Sequence, residues 1–122
     1  MSQSSYQDII LKINSNKISE AIQEIKFKIS ENPNDNNLYN FLGVCHVLQN
    51  NLEEAIEQFK LCLKLNPHNY DASLNLALNL EKTSPEDENI DIYFKKSLVS
   101  KELNKFISYG LYLNRKKSNE AE

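Results

Sequence analysis

The 122-residue chain contains two glycines, three prolines, two cysteines and no tryptophan. A glycine-rich phosphate loop needs several glycines close together, and Gly43 and Gly110 cannot build one. Tight hairpins also favour glycine, so a turn-rich β fold is excluded. Two cysteines, Cys45 and Cys62, are too few for a disulfide framework. Both lie in apolar-periodic segments, as buried free thiols do. Basic charge is scarce as well: 14 basic against 17 acidic side chains gives a net charge of −3. That balance argues against a general nucleic-acid binder. No apolar run approaches the roughly 20 residues of a membrane span. The most apolar stretch, Phe41 to Leu48, is broken by His46. The first residues, MSQSSYQD, show no basic segment before an apolar run, so no signal peptide is expected. Together these features predict a cytoplasmic domain, all-α, with helices joined by short asparagine-rich turns.

What the sequence does contain is a repeat. Pro33 and Pro67 each follow an asparagine and lie 34 residues apart. Residues 16–35, NKISEAIQEIKFKISENPND, align without gaps over residues 50–69, NNLEEAIEQFKLCLKLNPHN. Ala21 falls on Ala55, Ile22 on Ile56, Ile25 on Phe59 and Lys26 on Lys60. Apolar positions recur at helical spacing in both copies. A period of this length is the signature of stacked helix pairs.

Residues 36–69 resemble the tetratricopeptide repeat (TPR) family through Tyr39, Leu42, Gly43, His46, Ala55, Phe59, Cys62 and Pro67. His46 stands where the family has an aromatic, and Cys62 where it has alanine. Two flanking units are degenerate. Tyr6, Ile9, Ile10, Ile13, Ala21, Ile25 and Pro33 fit a repeat over residues 3–35. Ser73, Leu76, Ala77, Leu80, Ile90, Phe94 and Ser97 fit one over residues 70–102. Phe106, Tyr109, Gly110 and Leu113 then start the pattern again in a terminal helix over residues 103–116. The resemblance therefore implies one TPR domain over residues 1–117, a right-handed α-solenoid of antiparallel helix pairs with about seven helices. Residues 118–122 are expected to be a disordered tail. Ser84-Pro85-Glu86-Asp87 is expected to start the third repeat's second helix, since Ser caps, Pro suits the first turn and carboxylates face the positive dipole end. Asn50-Asn51 and Asn34-Asp35-Asn36 are expected turns that tolerate left-handed backbone. Gly43 and Gly110 are expected at close helix contacts. Arg115, Lys116 and Lys117 are expected in the last turn of the terminal helix, where cations suit the dipole.

A helix pair of this kind cannot bury itself alone, and stacking curves the array. The resemblance implies a concave face lined by the first helix of each repeat. Carried over residue by residue, that groove comprises Gln7 and Leu11, then Asn40 and Val44, then Leu74, Asn75 and Leu78, and last Ile107 and Leu111. It reads as an aliphatic strip edged with amides, suited to an extended or helical peptide. Ser4, Asn37, Asp71, Asn104, Asn14, Val47, Glu81 and Asn114 flank it. One TPR subclass grips chaperone tails with a two-carboxylate clamp of Lys, Asn and Arg. Here those positions hold Gln7, Leu11, Phe41, Leu74 and Leu78, and a shift by one repeat matches only Asn75. Leucines cannot replace the water a carboxylate loses, so the clamp is excluded.

The resemblance thus implies a protein-interaction adaptor, with a protein or peptide partner, no nucleic acid and no membrane insertion. The alternative is a self-assembling module, or a piece of a longer array, associating through its C-terminal helix. That helix has an apolar arc wider than one packing face requires. No cofactor, metal or catalytic residue is expected. Cys45 and His46 point about 100° apart on a helix and do not share an ion easily. No CxxC or HxxxH spacing supports zinc. Glu53, Glu54 and Glu57 beside Lys60 and Lys64 form an ordinary solvated helix face.

Overall fold

The computed structural model describes residues 2–121, with side chains from Tyr6 to Asn119. Its elements are α1 (Ser2–Asn14), α2 (Ile18–Glu31), α3 (Asn36–Leu48), α4 (Leu52–Leu65), α5 (Tyr70–Thr83), α6 (Ile90–Ser97) and α7 (Leu103–Ala121). A single 3₁₀ turn, Leu98–Ser100, joins α6 to α7. Each helix packs on the next, and α3 also touches α5. This is the all-α solenoid that the repeat pattern implies.

The inner stripes explain the stacking. Ala21 and Ile25 in α2, Ala55, Phe59 and Cys62 in α4, and Ile90, Phe94 and Ser97 in α6 are buried at three- and four-residue spacing. That spacing puts them on one helix face. Two apolar clusters result. The first joins Ile9, Ala21, Ile25, Leu38, Leu42 and Cys45. The second joins Ala55, Phe59, Leu76, Ala77, Leu80, Ile90, Phe94 and Tyr112, among others. Gly43 is buried because a Cβ there would stand 2.4 Å from Phe59 Cε1. No side chain fits, so the glycine permits α3 and α4 to close up.

The turns use asparagine in two ways. Asn16 and Asn50 both adopt left-handed backbone at φ 61° and reverse the chain after α1 and α3. At the next turns a side chain caps instead. Asp35 accepts from the Asn37 N–H at 3.2 Å, and Asn69 accepts from the Ala72 N–H at 3.1 Å. Each supplies one of the missing acceptors at a helix start. So the Asn34–Asn36 segment is a cap rather than a left-handed turn.

Three expectations are corrected. Residues 84–87 do not start α6. The Ser84 N–H bonds to Leu80 O and ends α5, and the Asp87 carboxylate accepts from the Asn89 N–H at 2.8 Å. This local turn competes with helix, and α6 begins only at Ile90, where its buried stripe begins. Gly110 is not a close contact: a Cβ there meets nothing within 4 Å. Finally, α7 continues to Ala121, past the expected end at residue 116 and into the segment expected to be disordered; Glu122 lies outside the described residues.

Candidate functional site

The residues expected to line a groove fall into a centre and two flanks. In the centre, α3 supplies Asn40 and Val44, and α5 supplies Leu74, Asn75 and Leu78. Leu74 is only 8% exposed and belongs to the second apolar cluster, against which Val44 and Leu78 also pack half-buried. The Asn75 amide donates to Asn40 Oδ1 at 3.0 Å and ties the two helices together. That leaves both N–H groups of Asn40, and one N–H and the oxygen of Asn75, as unused capacity. Asn79 donates to Asn75 O at 2.8 Å, while its Oδ1 is buried without a partner. The flanks differ. Gln7 and Leu11 on α1 are exposed, Leu11 at 62%. Ile107 and Leu111 on α7 are 52% and 53% exposed. The central aliphatics are thus already half used by the fold, while the outer ones are free.

The polar end of this face carries a feature absent from the sequence reading. Lys105 is 1% exposed, and its ammonium lies 2.8 Å from Asp71, 2.9 Å from Glu102 and 2.9 Å from Ser100 Oγ. All three N–H donors are satisfied. Burial works to lower the Lys105 pKa, but the hydrogen bonds to Asp71 and Glu102 outweigh it, and the pKa is raised. These groups line an open cleft of about 280 Å³ with Asn37, Asn66, His68, Asn69 and Tyr70. Asn69 spans the floor, donating to Asn36 Oδ1 at 2.8 Å and Asn37 Oδ1 at 3.2 Å. At the other end of α7, Arg115 grips Glu81 with Nε at 2.7 Å and Nη2 at 2.5 Å, a two-point pair. Glu81 and Asp71, expected to flank the groove, are engaged in holding α7.

Both ion pairs join residues 34 apart, the repeat period. A search for opposite charges at that separation would have found them. The Arg115 place in the last turn of a helix ending near residue 116 was the wrong explanation for its charge, because α7 runs past it. A third link is Tyr109, whose hydroxyl donates to Asp91 at 2.8 Å, with its ring stacked on Phe94 at 5.9 Å. At the other end, the Tyr6 hydroxyl donates to Asp35 at 2.5 Å, and its ring tilts against Phe41.

The remaining titratable residues carry little chemistry. Burial pushes the Cys45 thiol up to about 11 and the Cys62 thiol up to about 12. Neither is a thiolate at neutral pH, so neither is a ready nucleophile. His46 is half-buried with its Nδ1 unpartnered, and His68 is exposed with its ring edge-on to Tyr70. Among the described residues, no three His, Cys, Asp or Glu side chains come together as a metal site, and no helix is long and apolar enough to cross a membrane.

Comparison with known proteins follows the same lines. Residues 37–69 match the family model described as tetratricopeptide repeat. The fold is similar to the crystal structure of the Sgt2 TPR domain from Aspergillus fumigatus, with a TM-score of 0.87 at 12% identity over 99% of this chain and 82% of that one. It is also similar to the first TPR of Spaghetti (RPAP3) bound to the HSP90 peptide SRMEEVD, with a TM-score of 0.80, 12% identity and 94% of each chain covered. A structure of MamA protein gives a TM-score of 0.77 at 18% identity, over 94% of this chain and 63% of that one. No curated protein sequence matches the chain.

Proposed function

Because the chain is a tetratricopeptide-repeat solenoid, we propose that it is a protein-interaction adaptor whose concave face holds an extended or helical peptide of a cytoplasmic partner. TPR domains in general mediate protein–protein interaction, and the finer reading rests on one observation. The first helices of successive repeats carry aliphatic side chains that their own fold leaves uncovered, chiefly Leu11, Ile107 and Leu111. Between them, the linked Asn40 and Asn75 amides keep donors and an acceptor for a peptide backbone. Gln7 extends that capacity at the α1 end.

The ligand is apolar rather than acidic. The Spaghetti TPR is bound to SRMEEVD, a peptide with three carboxylate side chains and one arginine. Here Gln7, Leu74 and Leu78 stand where a carboxylate clamp needs cations, and the nearby cations Lys105 and Arg115 are already paired. An anion would lose its water there and gain no free cation in return. Affinity is modest. Six aliphatics at about 1.5 kcal/mol each would give roughly 9 kcal/mol, against at least about 4 kcal/mol for association. With Leu74 in the core and Val44 and Leu78 half-covered, the gross gain falls to about 6 kcal/mol, so a short peptide held by aliphatics alone stays at about millimolar affinity or weaker.

The test is Leu78→Lys combined with Leu111→Lys, assayed against partners pulled down from the native host. Binding is expected to fall at least about tenfold while the helical CD spectrum is kept. Unchanged binding by the folded double variant removes the groove as the partner site.

A further inference from the structure

The outward face of α7 is apolar and uncovered. Leu103 is 74% exposed, Phe106 47% and Leu113 43%, and Gly110 has open space where its side chain would be. Leu103, Phe106, Gly110 and Leu113 follow one another at steps of three, four and three residues. That is the seam spacing of a coiled coil. Lys105 and Tyr112, on the opposite side of α7, are buried against the body of the solenoid. In the second repeat the equivalent glycine, Gly43, is filled by the ring of Phe59. On α7 the glycine is an empty hole, and an exposed aromatic, Phe106, stands one turn before it.

We propose that this seam is an interface between two copies of the chain, with their α7 helices antiparallel. In an antiparallel pair, each first-type seam position faces a second-type position of the other helix. Phe106 of one copy then falls opposite Gly110 of the other, and Leu103 opposite Leu113. The two-fold axis makes each layer twice, so one helix supplies both knob and hole. Phe27, another exposed phenylalanine, has Gln23, Ser30 and Glu31 at its helical spacings and starts no such seam.

Charge fits the same occupant. No charged residue lies on the seam between Leu103 and Leu113. The antiparallel course opposes the helix dipoles and brings Lys116 and Lys117 of one copy within about a turn of Glu102 of the other. Lys116 and Lys117 form no ion pair among the described residues, and Glu102 is 56% exposed. The exposed apolar side chains around a bare glycine offer roughly 350 Å² per copy, about 700 Å² for the pair. That is below the roughly 1,000 Å² of a stable interface, so the dimer is weak and transient and forms with rising concentration.

Sedimentation equilibrium of the full chain from about 5 to 500 µM at low salt tests this. A monomer–dimer equilibrium is expected, weakened at least about tenfold by Gly110→Glu and by Phe106→Ala. Gly110→Glu is also expected to raise the melting temperature of the dilute protein, because glutamate is a better helix former than glycine. Lost association with raised stability cannot come from a damaged fold. A monomer at every concentration overturns the proposal and leaves the face to a different helix. A dimer that neither variant weakens overturns it too, and moves the interface off α7.

Discussion

The second repeat and the terminal helix start from nearly the same pattern and end in opposite states. In α3, Leu42-Gly43 meets α4, and Phe59 fills the space over the glycine. In α7, Tyr109-Gly110 meets no second helix among the described residues, and the space stays open. α3 is held mainly by apolar burial. α7 is held by Tyr112 and Tyr109 stacked on Phe94, and by three polar links, Lys105–Asp71, Tyr109–Asp91 and Arg115–Glu81. A repeat pattern therefore fixes where a residue sits in the solenoid. Whether the site is filled depends on the neighbour.

The sharpest break of this comparison is at the aromatic rings. Phe59→Ala is expected to destabilise the protein by about 3–5 kcal/mol, since a fully buried ring leaves a cavity. Phe106→Ala is expected to change the stability of dilute protein by less than about 0.5 kcal/mol. Urea unfolding of both variants at low micromolar concentration measures the contrast. Equal losses would mean that α7 is packed as tightly as α3.

The glycines give a smaller effect with a change of sign. Gly43→Ala forces a Cβ into a ring that has nowhere to move, at a cost of about 1–3 kcal/mol. Gly110→Ala is expected to stabilise by about 0.5–1 kcal/mol, because alanine replaces glycine in an open helix position. Thermal melts of the two single variants should move in opposite directions.

The smallest effect is a matter of pH. Burial works to raise the Asp91 pKa, but hydrogen bonds from Tyr109 and Lys95 outweigh it and hold the carboxyl below its ordinary value of 3.8. A depressed acid stabilises the fold above its unfolded pKa and loses that contribution as pH falls through the folded value. Asp91→Asn is therefore expected to cost about 0.5 kcal/mol at pH 6 and nothing once the pH is below the folded value. Parallel melts stepped down from pH 6 should show the difference between the two proteins shrink as the pH falls below the ordinary carboxyl value of 3.8.

Much of the fold was legible in the sequence, for local reasons. The match between residues 16–35 and 50–69, one 34-residue period apart, is carried by buried stripes, and those segments do contain α2 and α4. Asn50 is left-handed as its residue type allows. Failures came where local chemistry has two outcomes. Ser84-Pro85-Glu86-Asp87 has every feature of a helix start, yet Asp87 makes a turn because the buried stripe of α6 starts at Ile90. Asp35 has the same choice as Asn50 and caps instead. The expected groove could be written down only as a row of positions. It was not legible that Leu74 would sink into the core, because burial depends on how closely α3, α5 and α7 converge. Lys105 looked like one lysine among many until the repeat spacing placed it beside Asp71.

The two sealed thiols give the molecule built-in timers. Cys45 sits in the cluster that joins α1 to α3, and Cys62 sits under the Asn36–Asn69 contact between successive repeats. With thiol values pushed up to about 11 and about 12, both are shut off from reagents in the closed state. Reaction must wait for the chain to open nearby, so the two labelling rates clock separate events. One reports the unzipping of the first repeat from the second, the other the parting of the second from the third.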